Sequence, residues 1–319
     1  MMRFLLKLYR KIGSPFIRII SQDFVSVDEI RNSNWRLAAS LEDRILSTVE
    51  RLKYNIREQA PENIALLGYK VYSQSDEDGI IQAIFEKISI SPDGGTFVEI
   101  GCGDGLQNNT HTLLLLGWRG AWIDGSLRNI SFIKEHLPAS KNLIVEHQFV
   151  TRDNVFGLVS RLMAALATIT LDFLSLDIDG NDYYVLESLL LHNKPRVICV
   201  EYNAKFPYPM KIKIGYNEEH AWKMDDYFGA SLGSLTELLD RYGYTLITCN
   251  LSGVNAFFVN KEEASKFTIY PPQVLYQSPR YYIQHMPKGH PASLKFLQAA
   301  LKQPSEPTPA IELHTGSRH

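Results

Sequence analysis

The stretch Thr96-Phe97-Val98-Glu99-Ile100-Gly101-Cys102-Gly103-Asp104-Gly105 constrains this chain more than any other. Thr96 to Ile100 is apolar, partly β-branched and bounded by glycines, which reads as a short buried strand. It runs straight into three glycines at alternate positions, Gly101, Gly103 and Gly105. Glycine there opens backbone angles closed to other residues and lets a ligand lie against the main chain. Glu99 stands two residues before the first glycine. A second predicted strand, Ala121 to Asp124, ends in another acid 23 residues past Gly101. A strand, a glycine loop and a second strand-end acid at this spacing open a nucleoside-binding βαβ unit.

The glycine spacing separates two cofactor classes. Dinucleotide folds use G-x-G-x-x-G, whose third glycine packs the helix that receives a pyrophosphate. The G-x-G-x-G here, with its upstream acid, resembles motif I of the class I S-adenosylmethionine (SAM) methyltransferases. That resemblance implies SAM bound by Gly101, Gly103, Asp104 and Gly105. Glu99 would either take the ammonium of the methionine moiety or order the glycine loop. Asp124 would accept both ribose hydroxyls, with Ser126 beside it. Asn109 and Thr110 stand where a helix N-terminus would face the ligand, to cap the helix or to bind the cofactor's carboxylate.

The rest of the chain extends the βαβ reading. Further strands are expected at Leu143–His147, Phe173–Asp177, Arg196–Glu201, Thr245–Thr248 and Ala256–Val259, with helices at Ser131–Leu137, Asn154–Leu166, Tyr183–Leu191 and Ser231–Tyr242. Seven strands with crossover helices between the first six and a closing hairpin predict an α/β, doubly wound, Rossmann-like sheet with ligand at the C-terminal strand ends. Ser75 and Asp78 fit a loose capping box before an apolar helix over Ile80 to Ile88.

The 319 residues divide by pattern into a helical extension (1–65), a catalytic domain (66–262) and a C-terminal extension (263–319). In residues 2–20, Arg3, Lys7, Arg10 and Lys11 share one side of a helical wheel, opposite Phe4, Leu5, Leu8, Tyr9 and Ile12. Such a basic amphipathic helix either lies on an anionic membrane surface or docks on its own domain or a dimer partner. Residues 35–59 form a long packing or homodimer helix. From Gln303, Pro, Ser, Thr and Gly dominate and disorder is expected. With a net charge of −2, there is no global basic field, which argues against nucleic acid. Three cysteines without metal spacing fit a reducing compartment, and no run of apolar residues is long enough to span a membrane. The expected location is cytoplasmic, with peripheral contact at the membrane's inner face.

Several stretches agree with one family. Ser73-Gln74 with Asp78, Phe97 to Gly101 with Asp104-Gly105, Asn109-Thr110, Gly117 to Gly120 leading to Ile123-Asp124, and Asp177-Ile178-Asp179-Gly180 with Asp182 together resemble the FkbM family of SAM-dependent methyltransferases, over roughly residues 70 to 260. The resemblance implies methylation of an oxygen on a sugar, glycan or other small acceptor. The Asp-Ile-Asp-Gly-Asn-Asp run departs from the usual Asp-Val-Glu-Gly-Ala-Glu, so the acceptor does not carry over. Methyl transfer to an alcohol needs a positioned oxygen and a route for its proton, through a general base or a divalent metal. Asp177 and Asp179 close strand four, and Glu201 and Asn203 close strand five. Adjacent parallel strands end at one edge, so these four side chains can converge as hard oxygen ligands for Mg²⁺, or Asp177 can face the sulfonium without metal. His220, in the variable segment after strand five, is a candidate base. Tyr202, Phe206, Tyr208, Trp222, Tyr227 and Phe228 make that segment aromatic, for ring stacking or core packing. Lys205, Lys211 and Lys213 either meet an acidic acceptor or solvate the loop. The rival from another class is a SAM-binding scaffold without methyl transfer. An NAD-linked enzyme is disfavoured by the glycine spacing.

Overall fold

The computed structural model describes residues 27–91, 94–285 and 292–302. The expectations for residues 2–20 and for the tail beyond 303 lie outside these. The chain divides into two compact units, Met1–Thr48 and Val49–His319. Helix α1 (Val27–Gln59) begins eight residues before its expected start. The apolar stripe that reveals it starts only at Leu37, and a helix once nucleated propagates without one. In the first unit Leu37, Leu41 and Leu46 are exposed.

The second unit is built on seven strands: β1 (Thr96–Ile100), β2 (Arg119–Asp124), β3 (Leu143–His147), β4 (Phe173–Leu176), β5 (Val197–Glu201), β6 (Tyr244–Cys249) and β7 (Asn255–Asn260). Their order is β3-β2-β1-β4-β5-β7-β6. The first five run parallel, and β7 is antiparallel to both β5 and β6. This is the expected seven-stranded, doubly wound α/β sheet. Every residue of β1 is buried, as a central parallel strand with covered faces requires. Val98 and Ile100 pack with α5 (Val155–Ala165), α6 (Asp182–Leu190) and α7 (Leu232–Arg241). Phe97, on the alternate face, packs with α2 (Glu77–Lys87), α3 (His111–Leu115), α4 (Leu127–His136) and the C-terminal α10 (Leu294–Lys302). Two short helices, α8 (Lys261–Ala264) and α9 (Pro272–Leu275), follow the hairpin. The chain reverses direction across the sheet between β1, which neighbours β2, and β4, so the glycine loop lies at the switch point where such sheets bind ligands.

The capping box expected at Ser75 and Asp78 does not form. Asp76 is the N-cap of α2 and makes no side-chain cap bond. Asp78 instead turns back, and its Oδ2 accepts the N–H groups of Val71, Tyr72 and Ser73 at 2.7, 2.9 and 2.8 Å. A loop that must be folded over the sheet edge competes for the same carboxylate, and three backbone donors outweigh one cap. Asp76 and Glu77 are both buried and tie this loop to the β6–β7 turn. Asp76 accepts from Leu251 N at 3.2 Å, while Glu77 Oε1 accepts from the Asn250 and Asn255 amides at 2.6 and 3.2 Å.

Burial, and then the neighbouring charge of Glu77, push Asp76 up from 3.8 to about 7. The folded chain therefore holds a proton that the unfolded chain releases. The resulting stabilisation is complete below the unfolded value and is lost as pH rises through about 7. Thermal midpoints measured from pH 5 to 8 should fall with rising pH, and Asp76→Asn should flatten part of that fall.

Candidate functional site

The C-terminal ends of β1, β2, β4 and β5 open into one cleft of about 1420 Å³. Gly101, Gly103, Asp124 and Ser126 line one part of it, and Asp177, Asp179, Glu201, Asn203 and His220 another. Gly101, Gly103, Asp124 and Ser126 thus share one continuous space with the side chains after β4 and β5, whereas Gly105 does not line it. A small-molecule pocket of roughly 300–1,000 Å³ is typical, so the cleft has room for two ligands together.

At the glycine end each residue has a distinct task. Gly101 has φ +90°, and a Cβ there would fall 1.6 Å from the Asp177 carbonyl oxygen, because the loop crosses directly over the end of β4. Gly103 has φ +59° and only open space where a Cβ would stand, so it presents bare backbone to the cleft. Asp124 Oδ2 accepts from Gly103 N at 2.9 Å, and its Oδ1 accepts from Ser126 N at 2.7 Å and Asn129 Nδ2 at 3.2 Å. A carboxylate has about four acceptor sites, so one remains for a ribose hydroxyl unless Asn129 gives way. Ser126 also caps α4, accepting from Asn129 N.

Of the two roles left open for Glu99, the geometry supplies the second. Its buried carboxylate accepts from Asn108 Nδ2 at 2.7 Å, Asn109 N at 2.8 Å, Thr110 N at 3.1 Å and the Thr110 hydroxyl. Burial raises its pKa against those four donors. Asn109 and Thr110 likewise point away from the cleft. The Asn109 amide donates to Ser175 Oγ at 3.0 Å, and Thr110 Oγ1 accepts from Trp122 Nε1 at 2.8 Å. Asp104 makes a local turn, accepting from Leu106 N at 3.0 Å. Glu99, Asp104, Asn109 and Thr110 therefore build the glycine loop, and none of them lines the cleft. The reason is desolvation: a carboxylate inside a parallel sheet must find donors, and the loop's own N–H groups are the nearest.

At the other end, oxygens of Asp177, Asp179 and Glu201 all lie within 4.8 Å of one another. Burial first, and then the neighbouring charge of Asp179 for Asp177 and of Asp177 for Glu201, hold both carboxyls well above the usual carboxylate range. Oε2 of Glu201 is buried and has no donor. Asp179 adopts φ +55°, and Asp182 fixes that turn by accepting from Ile178 N and Gly180 N, both at 2.9 Å. His220 sits directly on Gly180, where a Cβ would meet the ring's Cδ2 at 2.2 Å. Asn181 Nδ2 donates to Asn217 O at 2.7 Å, and His220 N donates to the same carbonyl at 3.0 Å. The ring's Nε2 is buried and unpartnered.

Two expectations change. The Asn203 amide is engaged, donating to the carbonyls of Asp226 and Phe228 at 3.0 and 3.1 Å and accepting from Lys205 N at 3.2 Å. It pins the segment after β5 by these bonds, while the oxygens that converge within 4.8 Å are those of the three carboxylates. The three lysines are also engaged. Lys205 pairs with Asp226, Lys211 with Glu237 at 2.8 Å, and Lys213 lies 3.6 Å over the Tyr183 ring. Tyr202 is core, donating its hydroxyl to Gln277 O at 2.7 Å. Trp222 and Phe228 line the cleft. Sequence reasoning missed Gln148, Phe149 and Val150 after β3, and Pro279 and Tyr281 of the C-terminal extension. The first three were open to inference, since β3 ends at the same edge; the other two return from a segment with no periodicity.

No family model matches the chain, and no curated protein matches it. Among solved structures it is similar to a S-adenosylmethionine-dependent methyltransferase from Clostridium acetobutylicum ATCC 824, at 10% identity and TM-score 0.36 over 60% of this chain and 92% of that one. It is also similar to a TehB-like SAM-dependent methyltransferase from Corynebacterium glutamicum ATCC 13032, at 13% and 0.34 over 67% and 99%. A third is the N-terminal domain of EvdMO1 with SAH bound, at 12% and 0.38 over 66% and 95%. At such identities and scores these likenesses add no argument to what the sheet and cleft supply. The sheet order itself is that of a doubly wound, Rossmann-like α/β fold.

The glycines give a paired test. Gly101→Ala should prevent folding or yield insoluble chain, because backbone oxygen occupies the new side chain's place. Gly103→Ala should fold, at a backbone cost of roughly 1–2 kcal/mol, yet lose affinity for S-adenosylhomocysteine. Circular dichroism and calorimetry separate the two effects.

Proposed function

We propose that this chain is a SAM-dependent O-methyltransferase of FkbM type, transferring a methyl group to a hydroxyl of a sugar, a glycan or another small acceptor. The observation that supports it is the single cleft joining the Gly103–Asp124 end to the Asp177–His220 end. SAM would supply an electrophilic methyl group on a sulfonium. Asp124 receives ribose, and the Asp177–Glu201 pair places negative charge beside the glycine loop, where it favours a cationic centre. The acceptor oxygen forms its bond to the methyl carbon as the carbon–sulfur bond breaks. Its proton passes to His220 Nε2, the unpartnered nitrogen of a ring seated against Gly180. The imidazolium so formed is attracted to Asp179, whose pKa the His220 charge lowers in turn, against a larger rise from burial.

Calorimetric titration of S-adenosylhomocysteine in EDTA is the primary test. Micromolar binding is expected, and its absence in folded protein would sink the reading. His220→Gln should keep that affinity and lower turnover by roughly 10²-fold or more, the usual worth of a general base. Asp177→Ala separates the rival scaffold reading: an enzyme loses turnover, whereas a scaffold retains its function. A second reading keeps the same reaction with Mg²⁺ held by Asp177, Asp179 and Glu201, which the convergence of their oxygens favours; Mg²⁺ titration followed by activity in EDTA distinguishes it.

Among the described residues no helix is long and apolar enough to cross a membrane. Peripheral attachment through residues 2–20 would suit a lipid-linked glycan acceptor. Deleting residues 2–20 should then shift the protein from the membrane to the soluble fraction on sedimentation, and unchanged fractionation removes this part.

A further inference from the structure

The charge balance of the cleft bears on what the acceptor carries. Beyond Asp124 at the ribose end, five acids line the cleft, Asp177, Asp179, Glu201, Asp225 and Asp226, against one lysine, Lys205. Lys205 is paired with Asp226. Of the other lysines in the segment after β5, Lys211 is tied to Glu237, Lys213 to tyrosine rings, and Lys223 is exposed between Trp222 and Met224; none of the three lines the cleft. The net single positive charge of SAM offsets one of these acids, since the ammonium and carboxylate of its methionine end cancel. Acids still outnumber bases around the acceptor position, and Glu201 Oε2 is buried with no donor. Like charges are repelled from such a site, and opposite charges are drawn in. The apolar part of the lining points the same way. Trp222 and Tyr281 stand partly exposed on the cleft, and aromatic faces hold both sugar rings and ammonium groups.

We infer that the acceptor is cationic, an amino sugar or similar hydroxylated amine, whose ammonium is held among the carboxylates of Asp179, Glu201 and Asp225 while its ring lies against Trp222 and Tyr281. This rests on the methyl-transfer reading and names its substrate class. A phosphorylated or nucleotide-linked sugar meets uncompensated carboxylates in the same place and is rejected.

The test is ligand-observed NMR titration of the full chain loaded with S-adenosylhomocysteine, in EDTA and mildly acidic buffer, where the amine is protonated. The probes are glucosamine, glucose and glucose 6-phosphate. Glucosamine should bind most tightly and the phosphate most weakly, with a gap of about tenfold or more. Asp225→Asn keeps the local turn in which Oδ1 accepts from Tyr227 N, and it should narrow the gap, as should Asp179→Asn. Equal binding of all three probes, tighter binding of the phosphate, or binding of none of them overturns the inference. So does a preference that appears only when Mg²⁺ replaces EDTA. Failure of the methyl-transfer reading is seen separately, as absence of S-adenosylhomocysteine binding, and the sugar ranking is then read on the free protein.

Discussion

A carboxylate buried in the middle of a parallel sheet is the constraint on which the cleft depends. Among the described residues no cation pairs with Glu99, which is buried. It is accommodated only because four donors from the segment 108–110 converge on it. Each of those donors would itself cost about 1–3 kcal/mol if left unsatisfied. Carboxylate and loop therefore stabilise each other or neither is stable. The loop so fixed carries Thr110 against Trp122, whose ring packs under Gly105. The glycine backbone is thereby held open as a surface and does not collapse onto the strand ends.

The same economy of donors recurs around the cleft. Asp78 folds residues 71–73, Asp182 folds 178–180, and Asn203 holds the acceptor segment through two carbonyls. In each case a polar side chain at the sheet edge is saturated by nearby backbone and becomes scaffold. The groups left over are the informative ones. Glu201 Oε2 and His220 Nε2 have no partner, and both belong to residues lining the cleft. A buried polar atom without a protein partner is costly unless water or a ligand satisfies it, and these two stand where a ligand can reach.

This distinction explains what was legible in the sequence. The strands and their doubly wound class followed from short apolar runs and from the glycine loop, because such a sheet imposes its period and turn chemistry locally. Asp124, Asp177 and Glu201 were legible as edge residues for the same reason. Which acids face the cleft was not. Glu99 and Asp124 are both acids beside the glycine loop, yet one is saturated by a loop ten residues later in the chain and the other lies at the cleft surface. That outcome depends on the path of residues 106–110, which no periodicity encodes. The partners of Asn203 were hidden on the same account: Asp226 and Phe228 are more than twenty residues away in a segment without regular structure.

The arrangement of Asp179, Gly180 and His220 shows how little separates scaffold from reactive group. Asp179 takes a left-handed backbone conformation, and Gly180 has no side chain, so the histidine ring can lie directly on the turn. A residue with a Cβ at 180 would lift the ring and open Nε2 to solvent. Asp182 holds the turn from one side, and Asn181, bonded to Asn217, holds the histidine's own segment from the other. Four consecutive residues thus fix the place of a side chain that stands some forty positions later in the chain. The Asp-Gly-Asn-Asp run therefore acts as both a helix-entry turn and a seat for the His220 ring, and the two roles are inseparable because the hydrogen bonds that make the turn also set the height of the ring.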